Sequence, residues 1–331
     1  MTSPPAHVAR TPNRQDKLTG IACGIGAGAL WGLVFLAPEL ASAFNPLQLT
    51  AGRYFCYGLI AALLLAPRWR SLRRVSRRQW LNLAWLAFTG NTLYYILLAS
   101  AVQNGGIAMT SLVIGFLPVV ITVIGSRDSG AVSLARLLPS LLLGTIGIAC
   151  IGWQALSGST AGSLGESPIG LLCAIGALVS WTAFAIGNAR CLTTLGHISI
   201  RDWGLLLGIA TGMQSVVLLP LALMAGPVTQ NMDEWIRLGA VSVGLAIAAS
   251  IVGTALWNTM SRLLPLTLVG QMILFETLFA LLYGFLWEAR LPTLLEIVAL
   301  VAVVLSVLSC LAAHARKDTE EIKTRLFRCR D

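Results

Sequence analysis

The chain has 331 residues, of which 56% are hydrophobic and only 11% charged, with a mean hydropathy of +0.79 and a formal net charge of +9. Soluble domains carry about 25% charged residues, so a water-soluble fold with a charged skin is excluded, as are disorder and any large domain outside a membrane. The 23 Lys and Arg lie between and beyond the apolar runs, which argues against a nucleic-acid binder.

Apolar runs of about 20 residues have the length an α-helix needs to cross ~30 Å of hydrocarbon. They predict spans near 18 to 38, 46 to 66, 80 to 101, 105 to 125, 137 to 156, 168 to 189, 203 to 225, 236 to 260, 266 to 287 and 292 to 313. The alternation of a β-barrel is absent. Leu40-Ala41-Ser42-Ala43 looks like a signal-peptidase site, but the run before it exceeds the 7–15 residues of a signal-peptide core, so it reads as a retained span. In that span Gly20, Gly24, Gly28 and Gly32 recur every fourth residue and share one face, where another helix can approach closely.

Three spans carry ionisable side chains, each unfavourable by about 2.5–3.5 kcal/mol at a helix centre. Arg53 of span two is near enough to the outer end to snorkel in part, or to pair with a carboxylate. Glu276, in the middle of span nine, cannot reach water; it needs a cavity, a proton or a partner such as Arg53. Glu296, one turn into span ten, reads as interfacial. The three His fall outside span centres and the seven Cys show no C-x-x-C, so metal sites, disulfides and a histidine relay are not expected.

With the N-terminus inside, 20 of the 23 Lys and Arg fall on the cytoplasmic side, including the run from Arg68 to Arg78 and the tail after residue 313; Arg237 and Arg290 fall outside. Such a bias places both termini in the cytoplasm.

At an offset of 150, Gly20, Cys23, Ile25, Gly26, Ala27 and Trp31 lie over Gly170, Cys173, Ile175, Gly176, Ala177 and Trp181; at 159, Phe116 to Gly125 lies over Phe275 to Gly284. Spans one and six, and spans four and nine, therefore correspond. Five spans per half force opposite orientations, so the expected fold is all-α, ten transmembrane helices as two inverted five-helix repeats at 18–156 and 168–313, with a tail at 1–17 and a basic tail at 314–331.

Ala29 to Gly32 (A-L-W-G), Arg53-Tyr54-Phe55, Pro118 in span four and the F-E-T…G-F-L-W-E-A-R-L of spans nine and ten resemble the drug/metabolite transporter superfamily, EamA type, over residues 18 to 313. In its usual pattern spans four and nine read Glu-Pro; here they read Leu117-Pro118 and Glu276-Thr277, each keeping one of the two residues. The stretch Ala255 to Asn258 is similar to one in bacterial amino acid exporters of that superfamily. The resemblance implies a central cavity lined by spans one, three, four, six, eight and nine, and efflux from the cytoplasm.

The polar and aromatic candidates for that cavity are Trp31, Asn91, Tyr94, Tyr95, Ser111, Trp181, Asn258, Gln271 and Glu276, with Glu276 and Arg53 as coupling or ion-pair candidates. One Arg cannot balance a sugar phosphate, so a zwitterionic, cationic or amphipathic metabolite is the expected cargo, with protons as the candidate coupling ion and no cofactor. The expectation is a secondary transporter of the bacterial inner membrane, monomeric or homodimeric, exporting an amino acid or similar solute. A membrane scaffold and an intramembrane enzyme are the alternatives; no HExxH, Walker-type loop or intramembrane His supports the enzyme. A tag inserted at 68–78 should be shielded from impermeant reagents on intact cells and one at 157–167 labelled; the reverse pattern would invert the assigned orientation.

Overall fold

The computed structural model describes residues 14–68, 70, 75–125, 134–157, 168–192, 195, 198–225, 230–263 and 266–328. Every regular element among them is helical: α1 (Arg14–Leu40), α2 (Pro46–Leu65), α3 (Arg77–Ala87), α4 (Leu93–Ile114), α5 (Leu117–Gly125), α6 (Leu134–Ser157), α7 (Pro168–Leu192), α8 (Ile200–Met224), α9 (Met232–Leu245), α10 (Thr254–Leu263), α11 (Leu266–Trp287) and α12 (Leu294–Arg328). A π-helical stretch, Phe88–Thr92, joins α3 to α4, and a second, Ala246–Gly253, joins α9 to α10. Six of these rods are long and apolar enough to cross a bilayer, among them Leu18–Leu40, Pro168–Asn188 and Met232–Met260. Leu63, Leu172, Val217 and Leu286 stand outward and exposed, as lipid-facing side chains do and a soluble surface does not. The protein is an all-α, multi-span membrane protein.

Local chemistry sets where the helices begin. Asn45, Ser76 and Asn231 cap α2, α3 and α9, each in a reciprocal capping box with Gln48, Gln79 and Glu234, and Ser199 caps α8. These side chains satisfy backbone N–H groups that have no partner within the helix.

Two boundaries differ from the sequence reading. The helical segment that enters at Arg77 continues to Ile114, 38 residues, nearly twice the ~20 that one crossing needs. It is divided at Gly106, with φ 79° and ψ 166°, a conformation essentially confined to glycine. Tyr94 before the kink and Gly115 after it both lie level with Glu276-Thr277 of α11, so the chain reverses at this one residue rather than through the loop expected at 102–104. The second difference is α12, which continues without a break through 314–328, the segment expected to be a separate tail. No Gly or Pro follows Pro292 to stop it.

Helices meet through small residues. A Cβ added to Gly24 would lie 2.8 Å from Met260 and Met272, one on Gly28 2.9 Å from the Glu276 nitrogen, and one on Gly32 2.9 Å from the Ala280 nitrogen. The every-fourth-residue face of α1 is thus filled by α11 and the end of α10. On α2, a Cβ at Gly58 would lie 2.4 Å from the Gly212 Cα of α8, and Gly170 of α7 meets Gly105 in the same way. Buried Ser306 of α12 donates to the Ser140 carbonyl of α6 at 2.7 Å.

These contacts have an internal order. α2 packs on α8 and α6 on α12, and the packing of α2 on α9 has its counterpart in that of α8 on α3, whereas α1 and α2 both pack on α4 without a comparable contact of α7 and α8 with α10 or α11 among the described residues. Each π-helical stretch follows the corresponding helix, α3 or α9.

Gly28→Val should lower the unfolding midpoint in detergent, by about 1–3 kcal/mol of overpacking. Gly239→Ala, where nothing lies within 4 Å, should be neutral or stabilising by up to ~1 kcal/mol. Equal losses in the two would show that the α1–α11 contact is not under steric control.

Candidate substrate-binding site

Arg53 sits in the middle of α2 and is 7% exposed. Its guanidinium carbon stands 4.3 Å from the ring centroid of Tyr95 on α4 and 5.0 Å from that of its neighbour Tyr54. The two rings meet edge to face at 5.7 Å, and cation–π attraction holds the charge between them. Nε and Nη1 have no hydrogen-bond partner, and among the described residues no carboxylate approaches Arg53 within 4.0 Å. An unsatisfied buried donor is unfavourable by roughly 1–3 kcal/mol, more when charged.

Glu276 projects from the middle of α11, whose backbone at that residue is seated on Gly28 of α1. It lies within electrostatic range of Arg53 and of Tyr94, which is itself 7% exposed. Glu276 is only partly buried, although the groups it acts on are interior.

The expectation that Arg53 snorkels outward or pairs with Glu276 is therefore corrected. The tyrosines hold the cation on α2, the glycine contacts hold α11, and the two charges share one interior without touching. Glu296, one turn into α12, is 4% exposed. Its carboxylate accepts two hydrogen bonds from Arg290, each 2.7 Å, and one from the Thr293 backbone. Bonding to Glu296 holds the Arg290 guanidinium above its ordinary pKa, so it stays charged.

The break between α4 and α5 faces the same place. Pro118 has no N–H for the Ile114 carbonyl and its ring excludes it, so the Phe116 nitrogen turns back to Val113. A Cβ on Gly115, beside the break, would lie 3.1 Å from the Thr277 hydroxyl. Gly115, two residues before Leu117-Pro118, thus adjoins Thr277.

The other candidates are dispersed. Trp31 donates Nε1 to the Ala249 carbonyl in the π-helical stretch 246–253 at 3.0 Å and stacks 5.0 Å from Trp257. Trp181 packs 5.7 Å from Phe184, which fills the space over Gly90 in the other π-helical stretch, where Ser180 donates to the Thr89 carbonyl at 2.7 Å. Asn91 donates to Thr211 of α8 at 2.9 Å. Ser111 is fully buried and donates to the Ala108 carbonyl. Asn258 is partly buried on α10, and the side chain of Gln271 lies outside the described residues.

Residues 18–153 match the EamA-like transporter family. The inner membrane protein YtfF of Escherichia coli (strain K12) is 32% identical over 322 residues, which cover 92% of this chain and 98% of that protein. The chain belongs to the EamA-like transporter family. A solved crystal structure of a protein 18% identical superposes with a TM-score of 0.58 over 89% of this chain and 97% of its own, and so shares the fold. This EamA-type chain is a membrane transporter.

Sequence reading of this transporter missed both π-helical stretches, for which the sequence carries no periodic signal. It also missed Tyr54 as a wall of Arg53, although the Arg-Tyr pair was in view, and the Arg290–Glu296 pair, which the Thr293-x-x-Glu296 capping spacing could have suggested. Trp31→Phe removes the donor to Ala249 and should destabilise the transporter by about 1–3 kcal/mol, with faster amide exchange confined to 246–253. Unchanged exchange there would show that the indole does not hold the stretch.

Proposed function

We propose that this transporter exports a small metabolite, an amino acid or similar amphipathic solute, by alternating access around a site near the midplane. Two five-helix repeats of opposite orientation, 18–156 and 168–313, form the bundle of ten spans in the inner membrane, with both termini cytoplasmic. The observation that carries the reading is Glu276, an acid in the middle of α11 with no ion-pair partner among the described residues, whose backbone is seated on Gly28 of α1 and whose neighbour Thr277 lies against Gly115 at the α4–α5 break. A carboxylate within a membrane span can bind an ammonium or carry a proton, and broken helices at the midplane are where secondary transporters bind their cargo. The corresponding contacts of the two halves, α2 on α9 and α8 on α3, support two repeats that rock against each other. The site offers no nucleophile–base pair, and a passive scaffold would have no use for an unpaired acid at this depth.

Proteoliposome uptake of labelled amino acids, with and without a pH gradient, tests the proposal. Glu276→Gln should reduce flux at least ~10-fold, about 1.4 kcal/mol, or abolish its response to the gradient, while expression and monodispersity are retained. Wild-type flux and pH dependence in that variant would remove Glu276 from the mechanism; no flux of any solute in the wild type would favour the scaffold.

A further inference from the structure

α6 and α12 run against each other in opposite directions. The buried hydroxyls of Ser140 and Ser306 meet across the contact at 3.2 Å, and nearer its end Leu137, Cys310 and Ala313 pack together. Beside that cluster lies an open cavity of about 410 Å³, the size of a small-molecule site. Ala135 and Pro139 of α6 and Ser309 and Ala312 of α12 wall it with short side chains, and Arg136 and Arg316 bring one guanidinium from each helix. No acidic side chain is among its described lining.

The sequences of the two helices set the depth of this cavity. From Ile297 to Ala315 α12 carries no Asp, Glu, Lys or Arg, a run of about 28 Å at 1.5 Å per residue and close to the ~30 Å of hydrocarbon. Arg316 therefore stands at the edge of the apolar layer. Arg136 is the one charged residue of α6 and lies in its first turn, so both guanidiniums occupy the same membrane–water boundary, the cytoplasmic one in the orientation proposed above. The start of α6 adds N–H groups that no carbonyl of its own helix satisfies, the positive end of the helix dipole. A cation in that turn works against the dipole, and a second cation at the same cavity adds repulsion; an anion bound between them reverses both effects.

Charge and depth together select the occupant. Guanidinium groups donate parallel N–H···O bonds to a phosphate, and basic pockets between helices at this boundary suit lipid headgroups. Choline and ethanolamine headgroups carry a cation for which the cavity lining has no acid; a glycerol headgroup carries hydroxyls, which Ser309 can meet. Toward the membrane interior, exposed Leu142 and Ile146 follow Pro139 at one and two turns, and exposed Leu305 and Val301 precede Ser309 in the same way, an apolar track for acyl chains. We propose that the cavity between α6 and α12 binds an anionic phospholipid of the phosphatidylglycerol type, its phosphate held between Arg136 and Arg316 and its chains laid along that track. The assignment depends on the membrane fold and not on the cargo.

Native mass spectrometry of the full chain in detergent, titrated with phosphatidylglycerol, phosphatidylethanolamine and phosphatidylcholine at constant ionic strength, reports the affinity of the first lipid bound. Phosphatidylglycerol should bind the wild type at least about tenfold more tightly than the other two. Arg136→Gln combined with Arg316→Gln should lower that affinity about tenfold, whereas Arg77→Gln combined with Arg78→Gln, which removes the same charge from two exposed arginines of α3, should change it less than about twofold. Ala312→Trp keeps both guanidiniums but fills the cavity, and should weaken binding as far as the first pair does. All five positions are exposed, so the variants should stay monodisperse. Equal losses in the two arginine pairs would reduce the effect to general surface potential, full affinity in Ala312→Trp would put the lipid elsewhere, and displacement by inorganic phosphate at the same ionic strength would make the ligand a soluble anion; each overturns the assignment. Equal binding of the three lipids also overturns it, as does a lipid-independent dimer that Ala312→Trp dissociates, which would make this face a contact between copies of the chain.

Discussion

Inside a bilayer, apolar side chains gain nothing by leaving lipid for protein, so helices are held by close packing and by polar groups that find each other. The contact of α1 with α11 shows what this demands. Three glycines one turn apart let two backbones approach so closely that a methyl group at Gly28 or Gly32 would strike the main chain of the neighbour. Through that contact Glu276 is held at its depth, and with it the position of every group the carboxylate can reach.

Backbone irregularity in lipid survives only where its freed polar groups are satisfied. The π-helical stretch on one half is bonded by Trp31 from α1, that on the other by Ser180 from α7. Gly106 turns the chain in a single residue, and the Pro118 break is closed by a bond back to Val113. Each distortion thus takes its partner from a side chain or carbonyl nearby.

The charges divide into two kinds. At the ends of the helices they are paired: Arg68 with Asp202 at 2.7 Å, Arg290 with Glu296. In the middle, Arg53 and Glu276 are not. Since an unpaired charge is most unfavourable where it is most deeply buried, the contrast runs opposite to what stability alone would produce.

Much of this was legible from residues alone. The membrane class, the approximate spans, the glycine face of the first helix and the isolation of Glu276 follow from composition and spacing, because hydropathy over about 20 residues and the 3.6-residue period are local properties. The correspondence of Trp31 with Trp181 was visible too, though not that each half's residues would bond the other half's π-helical stretch. The reversal at Gly106, the tyrosine cage of Arg53, the burial of Glu296 and the separation of Arg53 from Glu276 emerge only from the assembled bundle. They depend on where helices far apart in the chain come to rest. Arg53 and Glu276 are more than two hundred residues apart, and whether two such charges touch is decided by glycine contacts and ring positions between other helices, which no local pattern encodes.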